Sequence, residues 1–273
     1  MNRAAGLAVR RGFADTRLGQ IHYVVAGAGP PVILLHQTPR SWDEYRDVIP
    51  ILATRFRTFA MDTIGFGDST RTSGPASVET FADGVLAFMA AIGLDTASIV
   101  GHHTGGVIAV ELAANHPELV DKLVLSGTTC VDEEGRRRAA EWPPIDEVAF
   151  SPDGSHLIEL WRKRESYYPK DRPDLLQRLV IDALKVLDKV EDGHVAVDTF
   201  HMEKLLPRIT CPTLLMCGTD DWAAFPDLQR LAGYLPHAKV VEVPGTGVPM
   251  VDHMPDRFAA IVMEFLDAPS PGR

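Results

Sequence analysis

Five short stretches of this chain gather residues able to do chemistry. They are His36-Gln37-Thr38-Pro39, Asp62 with Gly65-Phe66-Gly67, Gly101-His102-His103-Thr104-Gly105-Gly106, Thr219-Asp220-Asp221, and the run from Pro244 to His253. Together they hold imidazoles, carboxylates and glycine-bounded turns. An imidazole oriented by a carboxylate keeps one tautomer and can activate water or take a proton from a substrate. Backbone N–H groups at a helix start can hold a developing oxyanion. The turn at 101–106 sets two imidazoles between glycines. Neither G-x-G-x-x-G nor G-x-x-x-x-G-K-[ST] occurs, which removes the dinucleotide and P-loop readings. No ligand spacing points to a metal. No cofactor is expected.

Each stretch follows an apolar run of strand length. Residues 8–13 and 20–26 read as a starting hairpin, and Val32 to Leu35, Phe56 to Met61, Ser98 to Val100, Lys122 to Leu125, Pro212 to Cys217 and Ala238 to Val243 as strands. Between them, Trp42 to Ala53, residues 77–92 (Ser77 as N-cap, Gly93 as stop), Val107 to Asn115, 226–235 and Pro255 to Leu266 read as helices. Alternating β and α implies a mostly parallel central sheet with helices on both faces. In such sheets ligands bind outside the carboxyl ends of the strands, where the five stretches fall. Residues 128–207 break the rhythm. They contain no convincing strand and three helical stretches, near 155–166, 172–188 and 195–206. The expected organisation is a core of residues 1–127 and 208–273 with a helical cap, 128–207, inserted over the carboxyl edge of the sheet.

Composition narrows the partners. The chain has 273 residues, 45% hydrophobic and 23% charged, ample for a sizeable buried core. Its net charge of −10 repels phosphate backbones, so no nucleic acid is expected. No run reaches a membrane span, and Met1 to Asp15 lacks the apolar core of a signal peptide. Cys130, Cys211 and Cys217 read as reduced, in a cytoplasmic setting. The charge run Asp132 to Arg138 reads as a solvated face. The partner expected is a small-molecule substrate, with a homodimer left open.

The motifs resemble those of the α/β-hydrolase fold superfamily over almost the whole chain, most closely the epoxide hydrolase, haloalkane dehalogenase and meta-cleavage hydrolase branch. LLHQTP resembles the strand and oxyanion loop LLHG-x-P. MDTIGFGDS resembles the D-x-x-G-x-G-x-S loop. IVGHHTGGVIAVELAANHPELVDKLVL resembles the nucleophile elbow and its helix, and CPTLLMCGTDDW the strand and turn that deliver the triad acid. The resemblance implies a site between core and cap, with Thr38 and Thr104 N–H groups as oxyanion donors. The spacing from Gly218 then selects Asp221 over Asp220 as the acid.

Three positions depart from the family pattern. The elbow position, usually Ser, Asp or Cys, is His103. The triad histidine position is Val248, with His253 a few residues on. Gln37 replaces the oxyanion-loop glycine, either adding an amide to the site or capping the loop. A valine at 248 vacates the imidazole's place, and the longer His103 side chain can reach into it toward Asp221. The expected dyad is therefore His103–Asp221 as general base or acid. Trp42, Phe66, Trp142, Trp161, Tyr167 and Tyr168 are candidate pocket walls; on spacing alone each could equally pack in core or cap. His36, His102 and Asp62 read as structural. The expected activity is cofactor-independent and acts on a small carbonyl compound, ester or lactone. It proceeds by hydrolysis with activated water or by a lyase, decarboxylation or cyclisation step. The rivals are a non-catalytic small-molecule binding protein on the same scaffold, and an intact hydrolase with His253 as base.

Overall fold

The strand Pro31–Leu35 shows why this chain forms a layered sheet. Its residues alternate between faces, so Ile33 and Leu35 join one apolar cluster while Val32 and Leu34 join another on the opposite side. In the computed structural model, which describes residues 8–269, eight strands run in the spatial order β1-β2-β4-β3-β5-β6-β7-β8. They are β1 (Arg10–Thr16), β2 (Gly19–Ala26), β3 (Pro31–Leu35), β4 (Arg57–Met61), β5 (Ala97–His102), β6 (Val120–Ser126), β7 (Thr213–Gly218) and β8 (Lys239–Val243). β1 and β2 pair antiparallel, as does β2 with β4; every other pairing is parallel. The interior strands β5 and β7 are buried at every residue, as a sheet covered on both faces requires. The reading of Met1 to Asp15 falls partly on residues 1–7, outside the described residues. Among the described residues no helix is long and apolar enough to cross a membrane.

The helices are α1 (Ile49–Leu52), α2 (Val78–Ile92), α3 (Thr104–Asn115), α4 (Glu133–Ala139), α5 (Ser155–Arg164), α6 (Pro173–Leu184), α7 (Asp192–Asp198), α8 (Phe225–Tyr234), α9 (Met250–His253) and α10 (Pro255–Asp267). Ser77 caps α2 by accepting from the Thr80 N–H, and Gly93 ends it in the left-handed region. The helix expected over Trp42 to Ala53 is instead a 3-10 turn, Trp42–Tyr45, followed by the short α1. Pro50 is the reason: in a continuous helix its ring would clash with the Arg46 carbonyl and remove a hydrogen bond. The helix expected over 195–206 is also broken. α7 stops at Asp198, where the Thr199 hydroxyl donates to the Val195 and Ala196 carbonyls.

Between β6 and β7 every regular element is helical. The charge run at 132–138 is more than a solvated face. Asp132 caps α4, Arg136 makes a two-pronged pair with Glu203 at 2.9 Å, and Arg138 reaches Asp227 on α8. Glu133, Glu134 and Arg137 remain exposed, with loose pairs of 3.7 Å from Arg137 to Glu141 and from Glu134 to Arg230.

Candidate active site

The turn from β5 into α3 sets the geometry. His103 is the one non-glycine residue with positive φ among the described residues, at φ 46° and ψ −114°. Such backbone costs energy in an L-residue and is kept where the surroundings over-determine it. Here the flanking glycines do so. A Cβ on Gly101 would lie 2.3 Å from the Gly105 carbonyl oxygen, and one on Gly105 would lie 2.0 Å from the Leu35 oxygen. β3, β5 and α3 thus close to backbone contact and push the His103 side chain outward. Its ring lies against the turn after β7, with Nε2 2.9 Å from Asp221 Oδ2. A carboxylate only accepts, so Nε2 carries the proton and the lone pair falls on Nδ1. A Cβ on Gly127 would meet Nε2 at 2.9 Å and Cδ2 at 3.1 Å, so the Nδ1 edge is the opposite one. Asp221 is 1% exposed. Burial alone would raise its pKa, but the His103 charge and hydrogen bond, with the Ala224 N–H, hold it below the ordinary carboxylate value.

The pair opens on a cavity of about 280 Å³ lined from both sides. The sheet side contributes Gln37, Thr38, His103, Thr104 and Val248; the helical segment contributes Trp142, Tyr167, Arg164 and His194 among others. Thr104 is the first residue of α3, where an N–H has no partner inside its own helix. Thr38 stands beside it, their hydroxyl oxygens 2.9 Å apart. Gln37 is turned away from chemistry. Its N–H donates to Glu44 Oε2 at 2.9 Å and its side-chain amide to Glu44 Oε1 at 2.6 Å, so of its two expected roles it takes the loop-bracing one.

His36, His102 and His253 are committed elsewhere. His36 Nδ1 donates to the Gln37 carbonyl at 2.7 Å and Nε2 accepts from the Thr63 N–H at 2.9 Å. His102 is fully buried, with Nε2 on the Val248 carbonyl at 2.9 Å and Nδ1 3.0 Å from the Ser126 hydroxyl. Burial first, then the neighbouring His103, push its pKa down to about 3, so it is neutral. His253 bonds the Thr246 hydroxyl at 3.1 Å and makes no contact with Asp221. Asp62 ties its loop together through the Trp42 and Asp68 N–H groups and His22.

Four of the six aromatic candidates do not line the cavity. Trp42 is held between the Arg11 guanidinium, 4.6 Å from its ring, and His22. Phe66 packs against His36 and Phe81, because α2 offers it an apolar face. Trp161 and Tyr168 join a cluster around Leu175, Leu176 and Leu179. Trp142 and Tyr167 do line it, and Trp222 touches both rings, at 5.2 and 5.3 Å between centroids.

Two charged groups escaped the sequence reading. Arg40, wholly buried after the Thr38-Pro39 loop, donates to Asp182 on α6 at 3.0 Å and to Asp252 on α9 at 2.5 Å. It binds the oxyanion loop, the helical segment and the last loop to one guanidinium. Near the cavity, Arg164 grips Asp146 with two bonds of 2.6 and 2.5 Å, and His194 shares that carboxylate. The available signal was a charge interrupting an apolar stripe: Asp182 follows Leu179 by three residues on the buried face of α6. Among the described residues two clusters of histidine and acid could collect a metal, His22-Asp62-Asp68 and Asp146-Glu191-His194, and both have hydrogen-bond or ion-pair partners within the protein.

The parallel sheet, the strained elbow and the acid after β7 give this chain the α/β-hydrolase fold, and the sequence model of that fold matches residues 30–151. Among its relatives, the soluble epoxide hydrolase of Corynebacterium sp. is 39% identical over 106 residues, 39% of this chain and 37% of that protein's length. Haloalkane dehalogenase 2 of Mycobacterium tuberculosis is 29% identical over 266 residues, 92% of each chain. The enol-lactonase of Burkholderia xenovorans shares the fold with a TM-score of 0.77, at 22% identity, over 94% of this chain and all of that one.

Proposed function

We propose that this protein is a cofactor-independent hydrolase of a small ester, lactone or related carbonyl compound, with His103 as general base and Asp221 as its orienting carboxylate. The observation that carries this is the 2.9 Å bond from His103 Nε2 to Asp221 Oδ2 at an elbow facing the cavity, with Val248 at the usual base position. The bond leaves Nδ1 to take a proton from water. The water oxygen attacks the carbonyl carbon, and the oxyanion that forms meets the N–H groups of Thr38 and Thr104 beside the positive end of α3. Residues 128–207 serve as a cap that covers this chemistry. The names of the relatives, epoxide hydrolase and enol-lactonase, support hydrolysis over the lyase, decarboxylation and cyclisation steps the same dyad could begin.

The test measures rate and affinity on one variant. His103→Ala should lower kcat on an ester such as 4-nitrophenyl acetate by about 10²–10⁴-fold, the range for a positioned proton-transfer group. The affinity for a non-hydrolysable ketone analogue should change little, because the oxyanion donors are backbone groups. Unchanged rate refutes the base role. An inert wild type, with affinity altered by the roughly 0.5–1.5 kcal/mol of one hydrogen bond, makes the protein a binder.

A further inference from the structure

A second His–Asp pair faces the same cavity. His194 lines it from α7; its Nε2 lies 2.9 Å from Asp146 Oδ2, as His103 Nε2 does from Asp221, and 3.2 Å from the Arg164 guanidinium, which shares that carboxylate. Asp146 is fully buried and anchored by Arg164 through both oxygens. Glu191 fixes the loop that carries it, accepting from the Ile145 and Asp146 N–H groups at 2.8 and 2.7 Å. With Nε2–H directed at Asp146, the free nitrogen of His194 is Nδ1. Gly193 places this residue. A Cβ there would lie 2.2 Å from the Thr38 hydroxyl, so α7 rests directly on the oxyanion loop and His194 begins where that contact ends. Around the ring stand the carboxylates of Asp146, Glu191 and Asp198 and the guanidinium of Arg164.

We infer that His194 is a second catalytic residue, the acid to the base of His103. This rests on the hydrolytic reading above. As His103 Nδ1 takes a proton from water, the water oxygen bonds to the carbonyl carbon and the π pair moves onto the carbonyl oxygen. When that pair returns, the bond from carbon to the alkoxy oxygen breaks. Its electrons stay on the leaving oxygen, which takes the Nδ1 proton of the His194 imidazolium. An acid and an alcohol result. One proton has moved onto His103 and one off His194, and its return through solvent resets both.

An acid matters only when the leaving group is poor. 4-Nitrophenolate departs unaided; benzyl alkoxide does not. In His194→Gln the amide can still donate to Asp146 while the Nδ1 function is gone. We expect kcat/KM on benzyl acetate to fall about 10²–10⁴-fold and on 4-nitrophenyl acetate by less than about tenfold. Should that variant not fold, His194→Asn is read the same way. An equal fall on both esters, or none on either, overturns the acid role. His103→Ala run alongside must fall on both esters; if it does not, the base assignment fails separately. A wild type inert to both esters overturns the hydrolytic reading and the role of His194 with it.

Discussion

At residue 103 the chain puts a ring where its relatives' motif has a shorter nucleophile, and at residue 248 it puts an isopropyl group where the motif has a ring. The two changes compensate in space. The imidazole lies against the acid after β7 but is attached to the elbow, and the proposed mechanism uses Nδ1 as the reacting nitrogen. Val248 still matters through its backbone, since its carbonyl accepts from His102. This arrangement makes Asp221 a tautomer-setting group. Asp221→Asn puts an amide against Nε2, which can be satisfied by a ring protonated on Nδ1 instead, the wrong nitrogen for a base. The loss in kcat should approach but not exceed about 10⁴-fold. Imidazole ¹⁵N shifts would show the proton moving from Nε2 to Nδ1; a rate loss without that shift counts against the tautomer argument.

Among elements, the contact of α3 with β3 fixes the site. Gly105 sits where a methyl group would be 2.0 Å from the Leu35 carbonyl oxygen, a backbone atom that cannot swing aside. Gly105→Ala should therefore cost at least the roughly 1–3 kcal/mol of overpacking, and it should shift the His103 ring relative to Asp221. Gly233 offers the control. It lies in α8 with nothing within 4 Å of a built Cβ. Gly233→Ala should stabilise by about 0.5–1 kcal/mol through helix propensity. Urea midpoints of the two variants should move in opposite directions; if both destabilise, close approach is not what makes Gly105 special.

For the whole molecule, buried neutral histidines govern acid stability. His36 and His102 are both fully buried with pKa values below 6.5, by desolvation first in each, and His102 falls to about 3. Below pH 6.5 the unfolded chain binds protons that the fold refuses. Their contribution is complete above 6.5 and falls as pH drops toward the folded values, by about 1.4 kcal/mol per pH unit for His102, with His36 adding to the fall in the same direction. Glu44 has the opposite sign. Burial raises its pKa from 4.5 to about 7, so its contribution is present below 4.5 and is lost as pH rises through 7. Between 4.5 and 6.5 it offsets His102, leaving His36 to set the net fall. Denaturation midpoints should drop from pH 6.5 to 4.5, and Glu44→Gln should steepen that drop. An unchanged slope in the variant would place the Glu44 proton elsewhere.

The sequence by itself determined the parallel sheet, because strand-length apolar runs alternating with capped helices have few other ways to bury both faces. It also determined the elbow, because the glycines around His103 answer a contact that only a bare backbone permits. The pairing of His103 with Asp221 could be anticipated from two departures at distant positions, each of which explained the other. Only the tertiary structure decided which aromatic residues reach the cavity. Trp42 and Trp142 are alike as residue types, and no local spacing distinguishes a ring gripped by Arg11 from one lining the cavity. The same holds for Arg40 and for the His194–Asp146 pair. Their partners lie 142 and 48 residues away, and a charge's partner in space leaves no period in the chain to read.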